Sequence, residues 1–253
     1  MQARDIHTLL DESTPHRVTV LPTVDSTNTY LRKLAAEGAP DGTAVVAEAQ
    51  TAGRGRLSRQ FASPAGAGLY MSILLRRKIP LERLPLLTPF AAVAAARAVE
   101  RLAPVSVGIK WVNDLRIGER KIAGILTEGG FSESGELAYA VLGVGINLLP
   151  NVLPRELQEI AAAIGDFAPP PSPAAMAAAL LNELFLGFSG FTDGSFFEEY
   201  RRRSVVLGRT VTASDGERTV IGRAEAIEDD GALRLLTEEG ILHLRAGEVS
   251  IRL

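Results

Sequence analysis

The sequence predicts an α+β protein built as two units, a mixed helix-and-strand unit over residues 1–204 and a small β-barrel over 205–253. Three observations carry that reading. Strand-like runs at 105–111, 115–117, 121–129 and 138–147 are separated by the turn pairs Gly118-Glu119 and Ser134-Gly135, the pattern of an antiparallel meander. Helical runs stand before and after this meander. Beyond Arg203 the helical spacing ends, and short strands follow closely, punctuated by Asp215-Gly216, Asp230-Gly231 and Glu239-Gly240.

Taken in order, residues 1–17 form a polar lead-in with one helical turn, and 18–21 a strand. Ser26 opens a helix as its N-cap hydroxyl, with Tyr30, Leu31 and Leu34 at helical spacing and Gly38-Ala39-Pro40 as its stop. A Val- and Ala-rich strand covers 43–49, and 69–75 is another. Between them, residues 50–68 carry Gly53, Gly55, Gly66 and Gly68 and read as a loop. A long Ala-rich helix spans 84–102. After the meander comes a short helix at 157–164. Pro169-Pro170-Pro171 is a stiff spacer, and helices follow at 174–188 and 195–203. The barrel strands are 210–213, 220–227, 232–237, 241–244 and 248–253.

Composition narrows the function. Lys plus Arg is 27 against 30 for Asp plus Glu, a net charge of −3, whereas a dedicated nucleic-acid binder shows a basic excess. The absence of Cys excludes disulfides, thiol nucleophiles and Cys-zinc sites, and fits a cytoplasmic chain. His7, His16 and His243 form no ligand-spaced pair. The longest apolar stretch, 90–99, is too short to span a membrane and contains Arg97. The N-terminus lacks the apolar core of a signal peptide.

Three clusters carry chemistry. In Gly53-Arg54-Gly55-Arg56-Leu57-Ser58-Arg59, guanidiniums suited to carboxylate and phosphate oxygens alternate with residues that let backbone N–H groups approach an anion. By itself this loop reads first as a solvated basic turn or an RNA-contacting Arg-Gly segment, and one short repeat in an acidic chain is thin support for RNA. In Lys110-Trp111-Val112-Asn113-Asp114 and Arg120-Lys121-Ile122-Ala123-Gly124-Ile125-Leu126, two lysines stand in apolar strand sequence. Each pairs with an anion, or packs its stem and sends its ammonium to solvent. In Gly143-Val144-Gly145-Ile146-Asn147, Gly145 permits close approach of a ligand or marks a bulge.

Together with Ser26-Thr27-Asn28, these motifs occur in the order found in biotin protein ligases, and the chain resembles that family from about Thr23 to Leu149, with the C-terminal barrel fitting as well. The resemblance implies a mixed, largely antiparallel, class II synthetase-like sheet flanked by helices, then an SH3-like barrel. It also implies two steps: biotin and ATP, with Mg2+, give biotinyl-5′-AMP, and a lysine of a biotin carboxyl carrier protein then takes the biotinyl group. Lys121, Arg56, Lys110 and Asp114 are the implied catalytic residues. Lys121 bridges carboxylate and α-phosphate, Lys110 serves phosphate, and Asp114 orients or deprotonates the acceptor amine. Biotin falls to Ser26, Thr27, Asn28, Gln50, Arg54, Gly55, Arg56, Lys121, Gly124 and Gly145. ATP falls to Arg54, Arg56, Arg59, Phe61, Lys110, Asn113, Lys121 and Asn147, with Asn147 on adenine and Phe61 stacking over it.

Physical reasoning agrees, since two anions must meet and the site needs concentrated positive charge. A mixed anhydride must be kept from water, so residues 53–66 are expected to act as a lid. Two positions depart from the family pattern: Ser58 stands where a third loop glycine is common, and Val112 where Pro is. Only 25 residues precede Ser26, too few for a winged helix-turn-helix, so a ligase without repressor function or specific DNA binding is expected. No membrane partner is expected, and the resemblance admits a homodimer. A lipoate or octanoate ligase or transferase is the competing enzyme, and a non-catalytic anion- or RNA-binding module the competing class.

Overall fold

A computed structural model describes residues 1–57, 59–214, 219–245 and 247–251, with backbone alone at 248 and 251. The larger sheet has seven strands. They are β1 (Val18–Val24), β2 (Ala44–Gln50), β3 (Gly68–Leu75), β4 (Gly108–Lys110), β5 (Asp114–Ile117), β6 (Arg120–Phe131) and β7 (Leu137–Asn147), in the order β1-β2-β3-β7-β6-β5-β4. Only β1 and β2 run parallel, because helix α2 (Thr27–Ala36) provides the crossover that a parallel pair requires. All other neighbours are antiparallel, so the sheet is mixed and largely antiparallel as expected.

Central strand β3 is buried along its whole length, which accounts for its unbroken apolar sequence. Side chains alternate between the two faces. Val45, Leu74 and Val141 pack with Leu31 and Ala35 of α2. Val46, Ile73 and Leu142 join the main core with helices α3 (Leu87–Leu102) and α4 (Pro173–Leu186). The short helices α1 (Ala3–His7), α5 (Phe188–Asp193) and α6 (Phe196–Arg203) complete the helical layers.

Several expectations are corrected. Helix α3 starts at Leu87, because Pro85 holds Leu81–Leu86 in a 3-10 turn. The strand expected at 105–111 shortens to β4, as the Val107 N–H is taken by Glu100 Oε1 at 2.8 Å. No α-helix forms at 157–164. The segment instead lies against the start of β6, where Lys121 N–H donates to Ile160 O (3.0 Å) and Ala162 N–H to Lys121 O (2.8 Å). Short 3-10 turns at Arg155–Leu157 and Ile164–Asp166 flank it.

The C-terminal unit is a five-stranded antiparallel sheet in the order β11-β10-β9-β8-β12: β8 (Thr210–Ser214), β9 (Thr219–Ile227), β10 (Leu233–Thr237), β11 (Gly240–Leu244) and β12 (Glu248–Ile251). The expected barrel is, among the described residues, a sheet with β11 and β12 as its outer strands. Trp111 Nε1–H donates to Gly231 O at 3.0 Å and ties this unit to the turn after β4.

Candidate active site

Strand register assembles the site. Tyr70, Gly145, Gly124, Asp114 and Lys110 are successive partners across β3, β7, β6, β5 and β4, so they form one row on the face that carries α2. Ser72, Gly143 and Leu126 form the next row. The glycines leave a floor without side chains beside the N-terminus of α2. A Cβ at Gly145 would stand 2.5 Å from the Phe61 ring, and one at Gly143 would collide with Asn28 Oδ1. Above this floor lies a cavity of about 680 Å³, within the range of small-molecule sites.

At one end the lining residues Thr27, Asn28 and Gln50 are tied by a chain of neutral hydrogen bonds that runs behind the wall to Ser63 and Ser72. Gln50 Oε1 accepts from the Thr27 backbone N–H (2.9 Å) and hydroxyl (3.2 Å), and Gln50 Nε2–H donates to Ser63 Oγ (2.8 Å). The Ser72 hydroxyl lies 2.7 Å from Thr27 Oγ1 and 2.6 Å from Asn28 Oδ1. Ser26 is buried at the N-cap, but among the described residues its hydroxyl caps no helix N–H. Gln50, at the end of β2, takes that role instead.

The other end is cationic: Arg56, Arg59, Lys110, Arg116 and Lys121 line the cavity against the carboxylates of Asp114 and Glu119, while the Arg54 guanidinium turns back to Glu128 beside Asn28. Lys121 Nζ lies 2.6 Å from Asp114 Oδ1, and 3.2 Å from where a Cβ on Gly124 would be. A register shift opposite Leu115/Arg116 puts an extra residue in β6, which re-aims Lys121 toward the site. Arg56 Nη1 is 3.5 Å from Asn113 Oδ1, and Asn113 Nδ2–H donates to Ile125 O at 2.9 Å. Asn147 is buried and donates to Ala162 O at 3.0 Å.

The Gly-Arg loop folds back on itself, with Gly55 N–H donating to Arg59 O (2.7 Å) and Phe61 N–H to Gly53 O (2.9 Å). Positive φ falls on Leu57 (51°), while Ser58 lies outside the described residues. The turn at Val112 persists without proline. Tyr200 Oη–H donates to Val112 O at 3.0 Å, and burial pushes that phenol's pKa up. Phe61 meets Tyr70 edge-on and stands over Gly145 and Gly124, the floor assigned to biotin.

The residues expected for biotin and for ATP thus converge on one cavity. Sequence reasoning missed Ser72, Glu128 and the wall formed by Leu153, Leu157 and Ile160. The lone serine inside the run Leu69–Leu75 was the available signal for Ser72. The wall follows from the loss of the expected helix at 157–164.

A glycine floor, a neutral polar end and a cationic end on this sheet belong to a known class. The chain is a member of the biotin/lipoate A/B protein ligase family, whose model matches residues 20–147, and residues 206–252 match the biotin protein ligase C terminal domain. It is 36% identical over 240 residues to the bifunctional ligase/repressor BirA of Bacillus subtilis, covering 90% of this chain and 72% of that one. It is 33% identical to a biotin–[acetyl-CoA-carboxylase] ligase of Mycobacterium tuberculosis, covering 91% and 87%. A biotin protein ligase of Aquifex aeolicus, solved in complex with biotin and ATP, shares the fold with a TM-score of 0.79 and 30% identity, over 93% of this chain and 98% of its own.

Proposed function

We propose that this chain activates biotin with ATP and transfers it to a lysine of a biotin carboxyl carrier protein. The carrying observation is the pairing of ends in one cavity: neutral donors and acceptors of Thr27, Asn28 and Gln50, backed by the buried Ser72 hydroxyl, beside the cationic side chains of Arg56, Arg59, Lys110, Arg116 and Lys121, in a chain whose net charge is −3. A ureido ring suits the first end, and a carboxylate meeting a triphosphate suits the second. The match to a biotin ligase C-terminal domain supports biotin over lipoate or octanoate, and supports a boundary between units near residue 205.

In the first step a biotin carboxylate oxygen attacks the α-phosphorus, the bond to the β-phosphate oxygen breaks, and pyrophosphate leaves. Lys121 and Arg56 neutralise the meeting anions, while Lys110 and Arg59 hold the phosphates. In the second step the acceptor amine attacks the acyl carbon, the bond to AMP breaks and the amine proton departs toward Asp114. Asn147 and Asn113 serve the nucleotide. Ser26, Gly55 and the backbone of Arg54 close over biotin, and Phe61, whose ring stands over Gly145 and Gly124, is the aromatic face for adenine. Residues 53–66 act as the lid. Magnesium would be carried on the triphosphate and would supply neutralisation of its charge; among the described residues no cluster of three or more His, Cys, Asp or Glu is placed to hold an ion. No helix among the described residues is long and apolar enough to cross a membrane, and the cytoplasm, where carrier proteins and ATP meet, is the proposed setting. Homodimerisation and the absence of specific DNA binding belong to the same proposal.

Incubation with magnesium, ATP, biotin and a biotin carboxyl carrier domain, followed by mass spectrometry of the carrier, tests this. One biotinyl adduct on one lysine is expected. Pyrophosphate exchange driven by lipoate or octanoate but not by biotin would refute it.

A further inference from the structure

We infer that Glu128, on β6, is a positioning residue that fixes both Asn28 and the Gly-Arg loop. The inference rests on the function proposed above. Glu128 Oε2 accepts from Asn28 Nδ2–H at 2.8 Å, and Arg54 Nη1 lies 2.9 Å from Oε1 and 3.3 Å from Oε2. Arg32 of α2 adds a second cation at 3.5 Å. One carboxylate, 17% exposed, therefore joins β6, α2 and the loop.

The placement decides the role. Asn28 and Arg54 line the cavity, whereas Glu128 stands behind them. A carboxylate facing the meeting point of two anions would oppose the reaction, and here its charge is covered by two guanidiniums. Its bond to Nδ2 leaves Asn28 Oδ1 directed at Ser72, so it sets the orientation of the buried amide under Gly143. Arg54 in turn bridges Gln60 across the loop, so holding its guanidinium holds both limbs of the lid. The charge of Arg54 is thus committed to Glu128 rather than to phosphate, and its use to the ligand is through its backbone.

Two variants separate these roles. Glu128→Gln keeps an acceptor for Asn28 but loses the ion pair. It is expected to speed escape of bound biotinyl-AMP about fivefold, the upper range for a half-exposed pair, with biotin KM raised less than threefold. Glu128→Ala also strands the Asn28 amide, and its biotin KM is expected to rise about tenfold, more than its kcat falls. Escape is read by chasing labelled adenylate with excess unlabelled adenylate, and folding by thermal melts. Combining Arg54→Ala with Glu128→Gln should give escape no faster than the faster single variant. Additive effects, or wild-type escape in folded Glu128→Gln, overturn this inference alone. A wild-type chain without biotin-dependent pyrophosphate exchange overturns the functional reading and the inference together.

Discussion

Replacing Lys121 by Ala tests the cationic end most directly. The ammonium sits 2.6 Å from Asp114 and over Gly124, in the row that runs from Tyr70 to Lys110. It is one-third exposed, so the fully buried limit of Coulomb's law does not apply. At an effective dielectric near 20, a unit charge about 4 Å from the developing charge contributes about 4 kcal/mol. Mutational losses at comparable positions run about 2.7–4 kcal/mol, and each ~1.36 kcal/mol is a factor of ten in rate. Adenylate formation should therefore slow by about 10²–10³. Biotin-dependent ATP–pyrophosphate exchange measures it, and a thermal melt verifies the fold. Because Asp114 loses its partner, some stability also goes, and a melting point lowered by a few degrees is expected. Exchange within tenfold of wild type by a folded variant would remove Lys121 from the chemistry.

Three further outcomes are expected. Gly143→Ala should raise biotin KM at least tenfold, because the new Cβ meets Asn28 Oδ1 and forces the amide off Ser72 and Glu128, at an overpacking cost of about 1–3 kcal/mol in the melt. Arg56→Gly should still form biotinyl-AMP but release it early, so that lysines of bystander proteins become labelled; labelling confined to the carrier would contradict this. Stability should fall with acid. Hydrogen bonding from Arg203 holds Glu100 below the usual carboxylate range, and at Glu199 burial pushes the carboxyl up but hydrogen bonds from Arg97 and Arg203 outweigh it. Carboxyls depressed by folding contribute stability that is complete above about pH 4.3 and lost as pH falls through the folded values. Melts taken from about pH 6 to about pH 3 should show the loss, flattened in Arg203→Met.

The parts legible in the sequence are those governed by local rules. The meander was visible because its turn pairs are local, and the Gly-Arg loop because its residue types are unusual together. Register was not visible. Nothing in the chain's order says that Gly124 lies opposite Gly145 and Asp114, or that an extra residue in β6 re-aims Lys121. The 157–164 segment misled for a related reason. Its apolar spacing suits a helix, but its backbone groups are taken by the ends of Lys121, and a long-range pairing outweighs local propensity. Ser26 shows the same effect on a smaller scale: the cap position was right, yet the helix N–H found Gln50, a residue on another strand.

Asp114 raises the remaining question of whether its carboxylate serves Lys121 or the acceptor amine, and the two steps separate these. An amide at this position would keep a hydrogen-bond acceptor for Lys121 Nζ, so Asp114→Asn should leave adenylate formation within about tenfold of wild type by retaining the contact at 2.6 Å. It could not take a proton. The acceptor lysine, with a free pKa of ~10.4, then has to deprotonate without help, and transfer from preformed adenylate should slow by about 10²-fold. The lost rate should return as pH rises, because more of the amine is already neutral, giving a steeper pH dependence than in wild type. A single-turnover assay from isolated enzyme–adenylate to the carrier, run across pH, reads this step alone. Wild-type transfer at neutral pH would take the proton away from Asp114 and leave it solely as the partner that holds Lys121.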